Sequence, residues 1–204
     1  MKRKLIGICA TTLLLGFAGM SSAATLDFEL GLTGSASNLL NTLDASYVGF
    51  TWDSNYGVVT QELYNSDYGN SSTFVSGNEA AFNGYGVLTV TTTGTPVDLT
   101  GAWFEGFGYK NNAESFTSTS VTVEGFLGAT SVGTASMSLS PSSFSYLSFN
   151  FGSPVDTFTV TSSGSEKWWL MDDLSYNTVP EPSTLILLGS GMAGLGLMSF
   201  RKRK

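Results

Sequence analysis

Carboxylates are the residues of this chain with the clearest potential for chemistry. Two carboxylates about 5 to 10 Å apart suffice for glycoside hydrolysis. The chain has no His, and its single Cys, Cys9, lies near the N-terminus, so nucleophilic triads and His/Cys zinc sites are excluded from the rest. Acids at this density also pair by chance, so we predict a non-enzymatic protein and keep a glycan-active enzyme as the alternative. The carboxylates available for such a pair are Asp27, Glu29, Glu105, Glu124, Asp172 and Asp173.

Some of the same side chains suit a hard cation, because calcium takes oxygen ligands from carboxylates and carbonyl groups. The candidate calcium ligands lie near the two ends of the acidic region, and they are Asp27, Glu29, Asp172 and Asp173. The alternative is that these acids are simply solvated. No cofactor is required by the sequence.

Flat aromatic side chains offer a second kind of chemistry, since sugar rings stack on them while polar neighbours bind the hydroxyl groups. The adjacent Trp168 and Trp169 cannot share one face of a strand, so at least one of them is predicted to point outward. The alternative for each aromatic residue is burial in the core. The candidates for glycan stacking are Trp52, Trp103, Tyr109 and Trp169.

Strand-length segments must position these side chains. They recur about every ten residues, separated by Gly, Ser, Asn and Pro, and many alternate with period two. This pattern predicts an all-β fold, an antiparallel β-sandwich or jelly roll. A long polar loop is predicted over 64–79 and one helical turn over 35–43. The clearest strands are "GVLTVTTT" (86–93), "SVTVEGFLG" (120–128), "TSVGTASMSL" (130–139), "FSYLSFNF" (144–151) and "VDTFTVTSS" (155–163). Further candidates are "TLDFEL" (25–30), "YVGFTW" (47–52) and "KWWLMDDLSY" (167–176).

The last of these strands has two predicted faces. Strict alternation makes the more apolar set the core stripe, with a carboxylate in the middle of it. A carboxylate on an apolar face needs compensation from backbone N–H groups, water or a metal ion. The predicted core stripe is Trp168, Leu170, Asp172, Leu174 and Tyr176.

The N-terminus has the three parts of a secretory signal peptide. A basic "MKRK" precedes the apolar "LIGICATTLLLGF", and small residues follow. We therefore predict a leader over residues 1–24, cut by signal peptidase after Ala23 or Ala24 following export through the Sec translocon.

Without the leader and the basic C-terminal residues, the body is strongly acidic. Of nine basic residues only Lys110 and Lys167 remain, against all sixteen acids, which gives a net charge of about −14. Nucleic acid needs a basic partner surface, so it is excluded as a partner, and anionic membrane surfaces are disfavoured for the same reason. Disulfides are also impossible in the mature chain.

The C-terminus has its own three-part pattern over residues 179–204. A proline-rich motif, Pro180, Glu181, Pro182 and Ser183, precedes seventeen uncharged residues at 184–200. As a helix these would extend about 25 Å, at the short limit for a transmembrane span. A basic stop-transfer cluster closes the chain. That cluster is Arg201, Lys202, Arg203 and Lys204.

In these features the tail resembles the PEP-CTERM sorting tag of Gram-negative bacteria. The resemblance implies processing near Pro180–Pro182 by an exosortase, and an association with exopolysaccharide and biofilm. "LDFE" (26–29) and "FTVTSSGSEKWWLMDDLSY" (158–176) are similar to PEP-CTERM proteins whose jelly-roll body is like a carbohydrate-binding module. That likeness implies a structural calcium where the first and last strands meet, with Asp27 or Glu29 near Asp172 or Asp173.

Together these expectations predict a leader (1–24), a β-sandwich domain (25–178) and a sorting tag (179–204). The predicted function is that of an exported cell-surface or extracellular-matrix protein that is structural or binds polysaccharide. A protein anchored permanently in the inner membrane is the alternative for its fate.

Overall fold

The computed structural model describes residues 21–34, 36–39, 46–54, 56–68, 71–83, 86–108, 116–164 and 167–179. Within these ranges a compact body extends from Ser22 to Val179. Most of the predicted leader, Tyr109, the motif at 180–183, the apolar stretch at 184–200 and the basic cluster at 201–204 lie outside the described residues. In the part that is described, no helix has the length and apolar character needed to cross a bilayer.

The described residues form thirteen strands and one helix. The strands are β1 (Ala23–Leu26), β2 (Ser37–Leu39), β3 (Ser46–Tyr47), β4 (Phe50–Trp52), β5 (Tyr56–Thr60), β6 (Glu79–Asn83), β7 (Leu88–Thr92), β8 (Val97–Gly106), β9 (Ser120–Leu127), β10 (Thr130–Ser138), β11 (Ser145–Ser148), β12 (Thr157–Ser162) and β13 (Trp169–Thr178). The helix is α1 (Gln61–Tyr68).

The strands form two antiparallel sheets, which confirms the predicted all-β sandwich. Sheet A has the order β11-β8-β13-β6-β5-β2, and sheet B has the order β10-β9-β12-β7-β4-β3. β8 pairs with one side of β13, and two strands pair with the opposite side. Its beginning, Trp169–Met171, pairs with β6, and its later part, Leu174–Asn177, pairs with β1.

An aromatic core fills the space between the sheets. Trp52 stacks on Tyr56 with ring centroids 4.5 Å apart, and Phe28 meets Trp52 edge-on at 5.9 Å. Burial of such side chains is the main favourable contribution to stability in a domain that has no disulfide. The largest fully buried side chains of this core are Phe28, Phe50, Tyr56, Phe104, Phe158 and Trp169.

The outward face of sheet B explains much of the Ser and Thr content. The inward positions of its strands are Val, Leu, Phe and Trp, and the alternate positions carry hydroxyl groups in register across neighbouring strands. This alternation is typical of a sheet with one buried and one solvated face. The outward hydroxyl residues are Thr51, Thr89, Thr91, Thr122, Thr134, Ser136, Thr157, Thr159 and Thr161.

The predicted core stripe of β13 is wrong in its first half. Trp169 and Met171 lie in the core between the sheets, whereas Trp168 and Leu170 belong to a second apolar cluster on the outside of sheet A. The cause is an irregularity between Asp172 and Ser175 in the pairing of β13 with β8, where the backbone of Asp173 has a φ of 49°. Such a bulge reverses the alternation, so that Leu174 and Tyr176 do face the core as predicted.

The segment 64–79, predicted as a loop, begins with the second half of α1. Thr60 ends β5, and its hydroxyl oxygen accepts a hydrogen bond from the Leu63 backbone N–H at 3.3 Å, which is N-cap geometry. Tyr64 holds the helix to the sheet, because its side chain is fully buried against Phe107 and Phe74. The helical turn predicted over 35–43 is also wrong in part, since Ser37–Leu39 form β2.

Candidate functional site

The outer face of sheet A is divided into a covered half and an open half. The covered half lies beneath α1 and the segment 71–78, where Tyr64, Phe74, Phe82, Phe107 and Leu170 pack together. The open half is formed by β11, β8, β1 and the later part of β13. We call it the open face, and its residues are Thr25, Asp98, Trp103, Tyr146, Ser148, Ser175 and Asn177, all exposed or half-buried.

Two aromatic side chains form the centre of the open face. On β8, Ala102 and Phe104 point into the core, so Trp103 between them points outward. On β11, Leu147 points inward and Tyr146 outward, and Tyr146 lies directly opposite Trp103 in the strand register. The ring centroids are 5.4 Å apart with an angle of 61° between the planes, and Tyr146 is 45 % exposed.

Gly101 allows the Tyr146 ring to lie over the neighbouring strand. A Cβ atom at Gly101 would overlap the Tyr146 hydroxyl and its ring carbon. In the present arrangement the Tyr146 hydroxyl donates a long hydrogen bond of 3.5 Å to the Thr100 carbonyl oxygen. The lack of a side chain at Gly101 thus permits the observed tilt of the aromatic pair.

We expect Gly101→Val to displace the Tyr146 ring and to weaken the pairing of β11 with β8, because the new Cβ atom would overlap that ring and would lie 2.8 Å from the Leu147 carbonyl oxygen. The midpoint of thermal unfolding should therefore fall as well. Near-UV circular dichroism, compared with that of Tyr146→Ala, checks the displacement of the ring. An unchanged spectrum and an unchanged midpoint would contradict this role of Gly101.

Hydroxyl, amide and carboxylate groups lie in two successive rows on one side of the aromatic pair. Ser148, Ser175 and Thr25 lie in one row across β11, β13 and β1, with Gly101 of β8 between the two serines. The Thr25 and Ser175 hydroxyl oxygens are 3.4 Å apart. Asp98 and Asn177 are opposite each other in the next row. Groups of these types beside an aromatic ring can bind sugar hydroxyls.

Asp172 borders the aromatic pair on its other side, opposite Trp103 in the register. Its carboxylate accepts hydrogen bonds from the backbone N–H groups of Val75 and Ser76, at 2.9 and 3.0 Å, and from the Ser76 hydroxyl at 3.1 Å. Burial raises the pKa of Asp172 to about 6, and the nearby Asp173 charge adds to the rise. Through these hydrogen bonds Asp172 holds the segment 71–78 in place beside the open face.

Glu105 lies deeper, beneath the covered half. One of its oxygens accepts hydrogen bonds from the Ser72 hydroxyl at 2.6 Å and from the Tyr64 hydroxyl at 3.1 Å. Burial raises the pKa of Glu105, and burial together with the Glu105 charge raises that of Tyr64 far above its usual range. The two carboxylates with raised pKa values, Glu105 and Asp172, are both fully buried and both hold chain segments in place. A substrate therefore cannot reach Glu105 or Asp172, so these two residues do not form the accessible carboxylate pair that a glycan-active enzyme needs.

Three of the four candidate calcium ligands, Asp27, Glu29 and Asp172, accept hydrogen bonds from backbone groups. Glu29 accepts hydrogen bonds from the N–H groups of Asn78 and Glu79, at 2.8 and 2.9 Å, and Asp27 accepts one from the Glu29 N–H at 3.3 Å. Among the described residues, no three side chains of Asp, Glu, His or Cys are grouped so that they could hold a metal ion. Calcium at Asp27, Glu29, Asp172 and Asp173 thus stays a prediction.

Of the predicted stacking residues that the structure describes, only Trp103 is found on the open face. Trp52 and Trp169 lie in the core between the sheets, 3 % and 0 % exposed, so neither offers a ring to a ligand. Tyr109 lies outside the described residues. Tyr146 was missed, because the alternation in "FSYLSFNF" (144–151) does not show which of its aromatic residues face outward.

A comparison with protein families identifies the end of the chain. The model of the PEP-CTERM protein-sorting motif matches residues 178–204. The chain carries a PEP-CTERM sorting motif. This confirms the resemblance seen in the sequence and implies an exosortase as its processing partner. No curated protein matches the chain.

Solved structures similar to the body include carbohydrate-binding modules and an adhesin domain. A family 29 carbohydrate-binding module is 14% identical with a TM-score of 0.38, covering 81% of this chain and 98% of its own. A CBM29-2 mutant complexed with mannohexaose is also 14% identical, with a TM-score of 0.38 and coverage of 78% and 93%. The K2 cleaved adhesin domain of Lys-gingipain is 9% identical, with a TM-score of 0.44 and coverage of 78% and 100%. At these identities the likeness concerns the fold alone.

Proposed function

We propose that this chain is an exported protein of the cell surface or extracellular matrix, in the setting of exopolysaccharide and biofilm. In this proposal signal peptidase removes the leader after translocation, and an exosortase then cuts near Pro180–Pro182. The sorting motif at residues 178–204 supports this fate. The three-part leader at the N-terminus supports export.

Intact-mass measurement of the protein recovered from cells that contain an exosortase tests this fate. We expect a species that begins at Ala24 or Thr25 and ends near Pro182, because both terminal segments would be removed. A species that still ends at Lys204 would instead show permanent anchoring. Pro180→Ala combined with Pro182→Ala should block the second cut while leaving the first unchanged.

We further propose that the body binds polysaccharide at the open face. The observation that carries this proposal is the pair of outward-facing rings, Trp103 and Tyr146, on a sheet face lined with hydroxyl and amide groups. Isolated apolar residues are common on surfaces, whereas a partly exposed Trp in contact with an exposed Tyr across two strands forms a contiguous aromatic patch. The exposed face of either ring in this patch can stack on the apolar face of a sugar ring.

Charge restricts the class of polysaccharide. The body at residues 25–178 has two Lys against fifteen Asp and Glu, a net charge of about −13, and Asp98 lies on the open face itself. Within the described ranges the single basic side chain is that of Lys167. Lys167 lies just before the start of β13, whereas Asp98 pairs with Asn177 near the end of that strand. A polymer of uronic acids would be repelled, so we propose a neutral or amino-sugar polymer as the ligand.

A panel of matched oligosaccharides tests both parts of the proposal. Neutral β-linked hexoses and glucosamine oligomers should bind, and oligogalacturonate should not bind at low salt. Raising the salt concentration from about 0.05 to 0.5 M should weaken the glucosamine interaction and leave the neutral one nearly unchanged. Equal binding of all three would refute the charge argument, and binding of none would refute the carbohydrate proposal.

A further inference from the structure

The strand β10 ends sheet B and has a long edge. Among the described strands that pair on one side only, β10 has nine residues, β1 and β11 have four each, and β2 and β3 have three and two. The edge of such a strand can pair with another chain, and natural proteins block long edges with Lys, Pro or a bulge. β10 contains neither Lys nor Pro, and the irregularity in its pairing lies near its start, between Ser131 and Gly133.

The backbone groups on this edge belong to alternate residues of β10. The Leu139 N–H donates to the Thr119 carbonyl oxygen at 2.9 Å, which fixes the pattern of the ladder with β9. In an antiparallel pair the residues that bond to the partner strand alternate with residues that point away from it. The N–H and C=O groups on the free edge are therefore those of Thr134, Ser136 and Ser138, whose side chains are all exposed.

Hydrogen bonds to other segments limit this edge at both ends. On one side, the Val132 carbonyl oxygen accepts a hydrogen bond from the Gly152 N–H at 3.0 Å. On the other side, the Ser140 carbonyl oxygen accepts one from the Gly106 N–H at 2.8 Å. We call residues 134–138 the free edge, and its middle residue is Ser136.

The core is incompletely covered beneath the free edge. Ala135 and Met137 point inward and pack against the core between the sheets, yet both are only partly buried. An additional strand beside β10 would cover these two side chains and satisfy the backbone groups next to them. The free edge thus combines an unpaired ladder with apolar surface, and both would be buried by the same partner.

The charge distribution favours a second copy of this chain as that partner. The body carries about −13, so most surfaces of two copies repel each other, but residues 125–155 contain no Asp, Glu, Lys or Arg. The nearest carboxylate on the neighbouring strand is that of Glu124, opposite Thr134. Two β10 strands placed side by side would separate the Glu124 residues by three strand spacings, about 14 Å, which exceeds the screening length of about 8 Å at physiological salt.

We propose that the free edge is an association surface at which β10 pairs antiparallel with β10 of a second copy, about a two-fold axis at Ser136. Thr134 then lies opposite Ser138 of the second copy, and about six backbone hydrogen bonds form across the axis. Ala135 lies beside Met137 of the second copy, so each copy covers the incomplete core of the other. The inference is independent of the proposed leader, sorting and carbohydrate site.

Ser136→Lys tests this association, because it places two ammonium groups next to each other at the axis. The mass of the full chain in a mild detergent is measured by sedimentation equilibrium over about 1 to 300 μM, since one strand pair forms a small interface of the weak class. We expect a dimer whose dissociation constant rises at least tenfold in Ser136→Lys. A chain that is monomeric throughout this range would overturn the proposal.

Thr91→Lys is the matched control. Thr91 is exposed on the same face of sheet B, but it lies on β7, which is paired on both sides. The variant has the same net charge as Ser136→Lys and should dimerise like the unchanged chain. Equal weakening by both substitutions would contradict the proposal. A dimer that persists in Ser136→Lys would also contradict it, because association through the apolar ends of the chain does not involve β10.

Cross-linking provides a second measurement that does not depend on how well the lysine variant folds. In a Cys9→Ser background, Ser136→Cys gives each chain one thiol at the proposed axis. A short bismaleimide should join two copies of this variant at least tenfold faster than two copies of Thr91→Cys at the same concentration. Equal rates for the two variants would overturn the assignment of the axis to Ser136.

Discussion

Trp169→Ala is expected to destabilise the body by about 3 to 5 kcal/mol, since it removes a large side chain from a well-packed core. Trp169 is fully buried and meets Phe104 edge-on at 5.8 Å. Its indole N–H is buried without a hydrogen-bond partner, so Trp169→Phe removes an unsatisfied donor and should cost less. Urea unfolding followed by far-UV circular dichroism measures both effects.

Trp103→Ala is the matched control for that experiment. It removes the same side chain from the open face, where truncation should change the free energy of unfolding by less than about 1 kcal/mol. If Trp103→Ala proved as destabilising as Trp169→Ala, the assignment of the two tryptophans to outside and inside would be contradicted.

The second large effect is a rise in stability as the solution becomes mildly acidic. Burial raises the pKa of Asp172 from 3.8 to about 6 and raises that of Glu105 in the same direction. The folded state therefore binds more protons than the unfolded state between about pH 4 and 6. Stability is lost as the pH rises through the folded-state pKa, and for Asp172 the difference is at most about 3 kcal/mol.

Urea unfolding at pH 5 and pH 8 measures this dependence. The body should be more stable at pH 5, and relief of repulsion among its many carboxylates acts in the same direction. Glu105→Gln should reduce the difference, because the amide oxygen can still accept from Ser72 and Tyr64 while the charge is gone. Greater stability at pH 8 would contradict the pKa shifts of these two groups.

The sequence was sufficient for the fold class, because alternation and turn residues repeat along the body. It was not sufficient for the faces of the last strand. A single irregularity at Asp173 reverses the alternation, and nothing in "WWLMDDLSY" marks it except that Asp tolerates a positive φ better than most residues. For this reason Trp169 was predicted outside the core and is found inside it.

The helix α1 could not be predicted from the sequence for a different reason. Its Asn, Ser and Asp residues have weak helix propensity, so the segment was predicted as a loop. The burial of Tyr64 against Phe107 stabilises the helix through a contact that no short window of sequence contains. The Thr60 side chain, three residues before Leu63, was the available signal.

The candidate site was predictable only in part. Trp103 was identified from its residue type, whereas Tyr146 became apparent only through the pairing of β11 with β8. The resemblance of the body to carbohydrate-binding modules, in which the first and last strands lie side by side, implies that Asp27 or Glu29 lies near Asp172 or Asp173. Glu79, which accepts hydrogen bonds from the Leu30 and Leu32 N–H groups, was not foreseen as part of that acidic region.

Titration calorimetry with a neutral β-linked oligosaccharide tests the proposed carbohydrate site most directly. The protein is compared with Trp103→Ala/Tyr146→Ala, and Phe126→Ala, which removes a half-buried ring from the outer face of sheet B, is the control. We predict that the double variant loses at least tenfold in affinity, about 1.4 kcal/mol or more, and that the control binds normally. Unchanged affinity in the double variant would contradict binding at the open face.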